Sequence, residues 1–460
     1  MKKISVIVMA TLLTGCGVYK SYKRPEIATK DLYGQGVMAQ DTTSMGDIAW
    51  EEFFPNEQLR ALIAEGLKHN TDMQRAHLRV KESEAALKSA RLSYLPSFNV
   101  APTGSLSSFD NANTVKTYNV PLTASWEIDI FNGLTNAKRK AKAVYATSRE
   151  YAQAVRTQLI AGIANLYYTL QMLDEQYAIS RETAAKWEEG IRTMRSLKRA
   201  GMANEAAVAQ YEGNRLAVES SLHTLEHQIT TTENSLATLL GRPAQHIERG
   251  ALSEVNLPEE LLIGVPVQML SNRPDVRMAE QSLIESYYAT AAARSALYPK
   301  LTINGTVGWS NNSGRGIVNP GKMLLSAAGS LLQPIFNAGA GRARVKIAKA
   351  QQEEAMLSFE QTLLNAGAEV SNALAQSNSA REKGTLRKAQ VESLERAVEK
   401  TQLMMKYGSS TYLEVLTAEQ TLLSARMQQV GDRFEEIQAV INLYHALGGG
   451  RDKTEDPQAE

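Results

Sequence analysis

Proline interrupts helices, and this chain keeps its thirteen prolines out of two long stretches, residues 122–242 and 335–456. Both stretches are rich in Ala, Glu, Lys, Gln and Leu, which lose little on entering a helix. Such stretches predict helices far longer than a globular core uses. Residues 136–200, as one helix, would extend roughly 98 Å at ~1.5 Å per residue. A helix of that length builds a rod or the wall of a tube.

The two stretches belong to an internal repeat. Asp72 and Pro96 recur as Asp275 and Pro299, an offset of 203. Ile130-Phe131-Asn132 recurs as Ile335-Phe336-Asn337. Gly201 with Val208 recurs as Gly408 with Val415, and Leu240-Gly241 as Leu447-Gly448, an offset of 207. Each half reads helix, extended pair, very long helix, glycine turn, helix. The expected layout is a leader at 1–15 and an extended N-terminal segment at 16–55. The first repeat covers 56–250, with strands about 97–126 and long helices about 135–240. The second covers 251–448, with strands about 300–334 and long helices about 340–447, and a flexible tail follows at 449–460.

The extended pairs alternate with a period of two: Leu301, Ile303, Gly305, Val307 and Trp309 against Thr302, Asn304, Thr306 and Gly308. Residues 323–333 return after a polar loop, and in the first half residues 98–108 go out and 117–126 come back. Each has about the ~9–11 residues that a tilted transmembrane strand needs. Trp126, Trp309, Tyr118 and Phe98 suit the aromatic girdles of such a wall; the alternative is a soluble hairpin. The helices step by three and four, through Val208, Tyr211, Arg215, Val218, Leu222 and Leu225, and again through Leu423, Met427, Val430, Phe434 and Ile437. That is a heptad seam.

Lys2-Lys3 and the apolar residues 4–13 have the form of a signal peptide, too short to span a bilayer. Leu13-Thr14-Gly15-Cys16 then resembles a bacterial lipobox, in which the cysteine is acylated and becomes the N-terminus. It is the single cysteine, so intramolecular disulfides and cysteine metal clusters are excluded. The mature chain has no run of ~18 apolar residues, so any bilayer crossing falls to strands. A net charge of +1 leaves no basic excess for nucleic acid. Four strands do not close a barrel, since about eight is the smallest common transmembrane size, and open edges are not tolerated in lipid. The missing strands then come from other copies: eight in total from a dimer, twelve from a trimer, sixteen from a tetramer.

Trp50-Glu51-Glu52-Phe53-Phe54 with Leu59 and Leu62-Ile63, then Asn70-Thr71-Asp72, stand before the first strands. Asn272-Arg273-Pro274-Asp275-Val276 with Ala279-Glu280 marks the midpoint, and Pro334-Ile335-Phe336 closes the second pair. With Cys16 and the turns at Gly201 and Gly408, these residues resemble the TolC-like outer-membrane factor family, in its lipoprotein branch. The resemblance runs from Cys16 to Leu447. It implies a mainly α protomer with a transmembrane β portion, three copies forming a twelve-stranded β-barrel on a twelve-helix periplasmic α-helical barrel. It implies a passive exit duct of a tripartite efflux system in the outer membrane, without enzymatic activity. The implied partners are a periplasmic adaptor (membrane fusion) protein, an inner-membrane transporter of the RND type, and outer-membrane lipid. No cofactor is implied beyond the lipid on Cys16. Two departures stand out. Gly201-Met202-Ala203-Asn204-Glu205 lacks the Ser/Thr-rich continuation of Gly408-Ser409-Ser410-Thr411, and Leu134-Thr135-Asn136 lacks the Gly341-Arg342 of the second half.

Gly408 ends the second long helix, and Thr411-Tyr412-Leu413-Glu414 reads as a capping box that restarts one. The resemblance places both turns, with Gly201, Asn204, Gly408, Thr411 and Glu414, at the periplasmic mouth where the adaptor docks. Glu392, Glu395 and Glu399 share one helix face and are candidate pore-lining carboxylates; the plainer reading is a solvated face with Glu392 paired to Arg396. His223 and His227 have a zinc-compatible spacing but lack the Glu of HExxH and a third ligand, so no metal site is expected. No GxSxG, Walker or dinucleotide fingerprint occurs. Type I protein export through the same tunnel is the alternative function. A pore-free structural lipoprotein is a third, against which the paired strands argue.

Overall fold

The computed structural model describes residues 21–25, 32, 44–108, 110, 114–255, 263, 272–311 and 322–452. Cys16 and the leader lie outside the described residues. The first half contains helices α1 (Trp50–Phe53), α2 (Glu57–His69) and α3 (Thr71–Leu92), then strands β1 (Ser97–Val100), β2 (Thr103–Ser107) and β3 (Val115–Ile128), and helices α4 (Gly133–Arg199) and α5 (Glu205–Leu240). The second contains α6 (Pro274–Ser295), β4 (Lys300–Ser310), β5 (Lys322–Leu332), α7 (Ala340–Lys406) and α8 (Tyr412–Ala446). The two long helices, α4 and α7, have the same length, 67 residues. Among the described residues no helix is long and apolar enough to cross a membrane.

The segment before α1 is not extended throughout, contrary to expectation. Residues Met45–Asp47 form a 3-10 turn because the Ser44 hydroxyl accepts from the Gly46 N–H, and Trp50 is buried at the start of α1. Residues 449–452, the start of the expected flexible tail, are packed instead. Gly449 and Gly450 are buried, with the Gly450 N–H donating to the Tyr444 hydroxyl at 2.8 Å, and Asp452 pairs with Arg156.

The chain forms two compact units, and each repeat contributes to both. One comprises residues 1–27, 78–150 and 277–362; the other comprises 28–77, 151–276 and 363–460. The first holds an antiparallel sheet in which β3 pairs with both β1 and β2, then β4, then β5. The β3–β4 pair joins the two repeats, from Asn119 opposite Ser310 to Ile128 opposite Leu301. The outgoing strand of the first half, expected to be continuous, is broken at Ala101-Pro102. Pro102 has no N–H, and it lies beside Pro121 of β3, which has none either. The Pro121 carbonyl accepts from the Ala101 N–H at 3.3 Å, so the missing donor of Pro121 faces the interruption and the β4 ladder stays whole.

The second unit is a helical core around Tyr167, Ile163, Leu170, Leu59, Ile63, Leu236 and Leu240, all fully buried. Asn56 caps α2 by accepting from the Leu59 N–H at 2.9 Å. Asn70, buried, starts α3 by accepting from the Met73 N–H and donates to the Leu239 carbonyl at 2.9 Å. The seam expected on α5 is present: Val208, Tyr211, Val218 and Leu225 are buried, and Arg215 and Leu222 half-buried.

Candidate functional site

The register divides the sheet into two chemically distinct faces, because directly opposed residues share a side. One face carries Phe98 and Val100 of β1, Leu122 and Trp126 of β3, Ile303, Val307 and Trp309 of β4, and Met323, Leu325 and Leu331 of β5. These side chains are exposed in the protomer. A contiguous exposed apolar face of this kind marks a membrane or partner surface. The other face carries Asn99, Thr123, Ser125, Asn304 and Thr306, with Leu324 and Leu332 near its two ends on β5. Aromatic side chains stand at both ends of the strands. Tyr118 and Trp309 lie toward the loops, Phe98 and Trp126 toward the helices, as the sequence suggested. β1–β2 and β5 are the edges, without a further strand partner among the described residues.

The junction between strands and helices is fixed by side chains that the missing Gly-Arg motif did not advertise. The Asp129 carboxylate accepts from the Leu134 and Thr135 N–H groups at 2.9 and 2.8 Å and from the Thr135 hydroxyl at 2.7 Å. It thereby satisfies the first donors of α4 and places a negative charge at the helix N-terminus. The Trp126 indole N–H donates to the Tyr94 carbonyl, and the Tyr94 and Thr135 hydroxyls lie 2.8 Å apart.

The two hairpin ends share one backbone design. Gly201 and Gly408 both adopt φ +76, the left-handed conformation that glycine takes with little steric penalty. The Met202 N–H donates to the Leu197 carbonyl and the Ser409 N–H to the Met404 carbonyl, at 2.9 and 2.8 Å. Each helix therefore closes in a Schellman motif. Asn204 then caps α5 by accepting from the Ala207 N–H, and Thr411 caps α8 by accepting from the Glu414 N–H. The apparent departure at the first turn is thus a change of capping residue, Asn for Thr. The capping box at the second turn is only half formed, since the Glu414 carboxylate bonds the Ser410 hydroxyl.

Both ends pack into one cluster, with Trp187, Ile191, Met194, Val208 and Tyr211 against Leu416 and, at its margin, Met405 and Tyr412. Glu419 sits at this cluster, accepting from the Trp187 indole N–H at 3.1 Å and from the Gln402 amide at 2.9 Å. Burial pushes its carboxyl above the ordinary range, against the pull of those two donors and of the Lys186 charge. Sequence reasoning missed Glu419; its only signal is a carboxylate on the seam side of α8.

The three candidate carboxylates of α7 are exposed but not equivalent. Glu395 is engaged by Arg426 of α8, and Glu399 lies 3.1 Å from Lys400. The expected Glu392–Arg396 pair is not formed, because the Arg396 guanidinium donates to the Ser393 hydroxyl instead. His223 and His227 are exposed, with His223 Nδ1 3.2 Å from the Glu226 carboxylate. At the midpoint motif, Arg273 is buried and grips the Asp275 carboxylate with two nitrogens, at 3.0 and 2.7 Å. It also reaches Glu369 at 2.6 Å and the Ala446 carbonyl at the end of α8 at 2.7 Å.

An antiparallel sheet with one apolar and one polar face, in a chain that also forms helix hairpins of this length, suits a membrane channel wall. Residues 62–242 and 265–449 match the family described as outer membrane efflux protein, and the chain belongs to that family. Over 457 residues it is 27% identical to the cation efflux system protein CusC of Escherichia coli strain K12, covering 97% of this chain and 99% of that one. It is 27% identical to the antibiotic efflux pump outer membrane protein ArpC of Pseudomonas putida, covering 97% and 95%. The solved open state of the Neisseria gonorrhoeae MtrE outer membrane channel is similar at 25% identity with a TM-score of 0.85, covering 95% and 98%. The protein is an outer-membrane efflux channel, the exit component of an efflux system, and not an enzyme.

Proposed function

We propose that three copies of this chain close a twelve-stranded barrel, anchored further by lipid on Cys16, and that the helix hairpin ends at Gly201 and Gly408 dock a periplasmic adaptor serving an inner-membrane transporter of the RND type. One observation carries this reading. The sheet has a lipid-compatible face and a water-compatible face, and among the described residues both of its edges are open. Lipid does not tolerate open edges, so closure requires further copies. The polar face is lined mostly by hydroxyls and amides, and its charged pair, Glu127 with Lys300 at 3.5 Å, cancels, so it wets a lumen without selecting strongly by charge. Choice of cargo therefore belongs to the transporter. CusC and ArpC are named for cation and antibiotic efflux, which supports small solutes rather than proteins as the cargo. Of the α7 carboxylates, Glu392 is the better lumen candidate, since Arg426 neutralises Glu395 and Lys400 lies 3.1 Å from Glu399.

The two-faced wall is tested with single thiols in whole cells. Thr123→Cys, on the polar face, is expected to react with a water-soluble thiol reagent, whereas Leu122→Cys, on the apolar face, stays protected. Equal reactivity of the two would rule out the wall as drawn.

A further inference from the structure

The duplicated hairpin ends share a backbone and differ in charge. The last turns of α4 present Arg192, Arg195, Lys198 and Arg199, all exposed. Shifted by the repeat offset of 207, the same positions on α7 are Glu399, Gln402, Met405 and Lys406. Two of the four cations are neutralised inside their own hairpin, Arg195 by Glu212 and Lys198 by Glu205. Arg192 has no carboxylate at ion-pair distance among the described residues, and Arg199 meets only the Ser196 hydroxyl at 3.2 Å. All four line a hollow of ≈ 720 Å³ between α4 and α5, together with Glu205 and Glu212. The hollow therefore keeps two unneutralised guanidinium groups, at positions 192 and 199.

Seven residues separate Arg192 from Arg199, which is ~10.5 Å along a helix at ~1.5 Å per residue. One phosphate or one small anion carries no pair of charges with that spacing. Two carboxylates about two turns apart on a partner helix do, each within reach of one guanidinium fork. We propose that this hollow is the specificity-determining face of the docking end, and that it receives an acidic helical segment of the adaptor, carrying Asp or Glu at i and i+7. The inference rests on the docking role proposed above. The second hairpin end, with one anion and one cation at the matching positions, docks without this charge selection. Exposed charges at an interface act mainly on encounter rate and partner choice, and salt screens them.

The experiment uses the full-length protein in detergent and the purified adaptor of its own system. Reversing both charges, Arg192→Glu with Arg199→Glu, is expected to weaken adaptor binding by about tenfold at low salt, as two lost and reversed surface pairs would. Wild-type affinity should fall with added salt and that of the double variant should not. Lys406→Glu on the other hairpin is the control and should change affinity less than about twofold. The milder Arg192→Gln with Arg199→Gln pair guards against misfolding and should give an intermediate loss with an unchanged melting temperature. Reversing the acidic residues of the adaptor segment to Lys should restore binding to the Glu variant. If the wild type binds and the Glu variant binds equally well, the hollow is not the selective face while the docking role stands. If photocrosslinkers at Met202 and Tyr407 capture no adaptor on the wild type, the docking role itself fails and this inference with it. Binding of anionic phosphatidylglycerol vesicles, lost in the Glu variant while adaptor binding persists, would overturn the proposal in favour of a lipid surface.

Discussion

Glu419 shows how one substitution between repeats changes the chemistry of a site. Its counterpart at the offset of 207 is Glu212, which is paired with Arg195. In the second hairpin the Arg195 position is Gln402, so Glu419 has an amide and an indole N–H for partners in place of a cation. Lys186 and Tyr211 are the titratable groups that face it, and Tyr211 is itself raised by burial and by the Glu419 charge. Because burial raises the folded-state pKa of Glu419 above 4.5, the folded protein holds this proton more tightly than the unfolded chain does. Its contribution to stability is fully present below the ordinary value and is lost as pH rises through the folded one. Asp275 works in the opposite sense. Desolvation alone would raise it, but the Arg273 hydrogen bonds and charge prevail and hold it low, so its contribution is lost as pH falls through that lowered value. Glu419→Gln removes the titration while keeping an acceptor for one donor. The melting temperature of the wild type relative to Glu419→Gln should therefore climb as pH is lowered from about 8 toward 4.5. Parallel melting curves over that range would show that the carboxylate is already solvated in the folded protein.

Among the elements, the hairpin ends and the β3–β4 seam make different demands on glycine. Gly408 has open space around it, so a side chain there meets no neighbour and only the left-handed backbone resists. Gly408→Val should strain the turn by about 1–3 kcal/mol, and Thr411→Ala should weaken the α8 cap by about 0.5–2 kcal/mol. Both should reduce crosslinking to the adaptor and dye efflux while the protein still inserts; full crosslinking with full efflux in Gly408→Val would remove this turn from the docking surface. Gly308 is constrained by approach instead, since a Cβ there would lie 2.3 Å from the Val120 carbonyl oxygen beside Pro121. The lengths and order of these elements were legible in the sequence, because proline spacing and the repeat leave little freedom over stretches as long as α4 and α7. The two-faced sheet was legible too, from the alternation in β4. Tertiary neighbours were not. The break at Ala101-Pro102 depends on Pro121 lying opposite, the Asp129 cap on a reach of five to six residues, and the capture of Glu395 on Arg426, 31 residues away. No local pattern encodes such pairings.

In the proposed assembly, the open sheet edges call for further copies, and the contact between edges is where the copy number is tested. β1–β2 exposes one row of backbone groups and β5 the other, and a closed wall requires that each edge of one copy meet the opposite edge of the next. Such a head-to-tail contact closes into a ring whose size is the copy number. The chain has one native cysteine, Cys16, which on the reading above is acylated, so engineered thiols would be the only reactive ones. Asn99 of β1 lies on the polar face, as do Ser326, Ala328 and Ser330 of β5. Asn99→Cys combined in turn with Ser326→Cys, Ala328→Cys or Ser330→Cys walks the unknown register between copies in steps of two residues. A step of two keeps every thiol on one face. In at least one combination, oxidation of the inserted protein should give a covalent ladder that stops at three copies, and reduction should return it to the monomer. Each single-cysteine variant has only one of the two edges labelled and should give no ladder. A ladder stopping at two or four copies would replace the trimer with an eight- or sixteen-stranded wall. Failure of all three combinations in properly inserted protein would mean that these two edges do not meet.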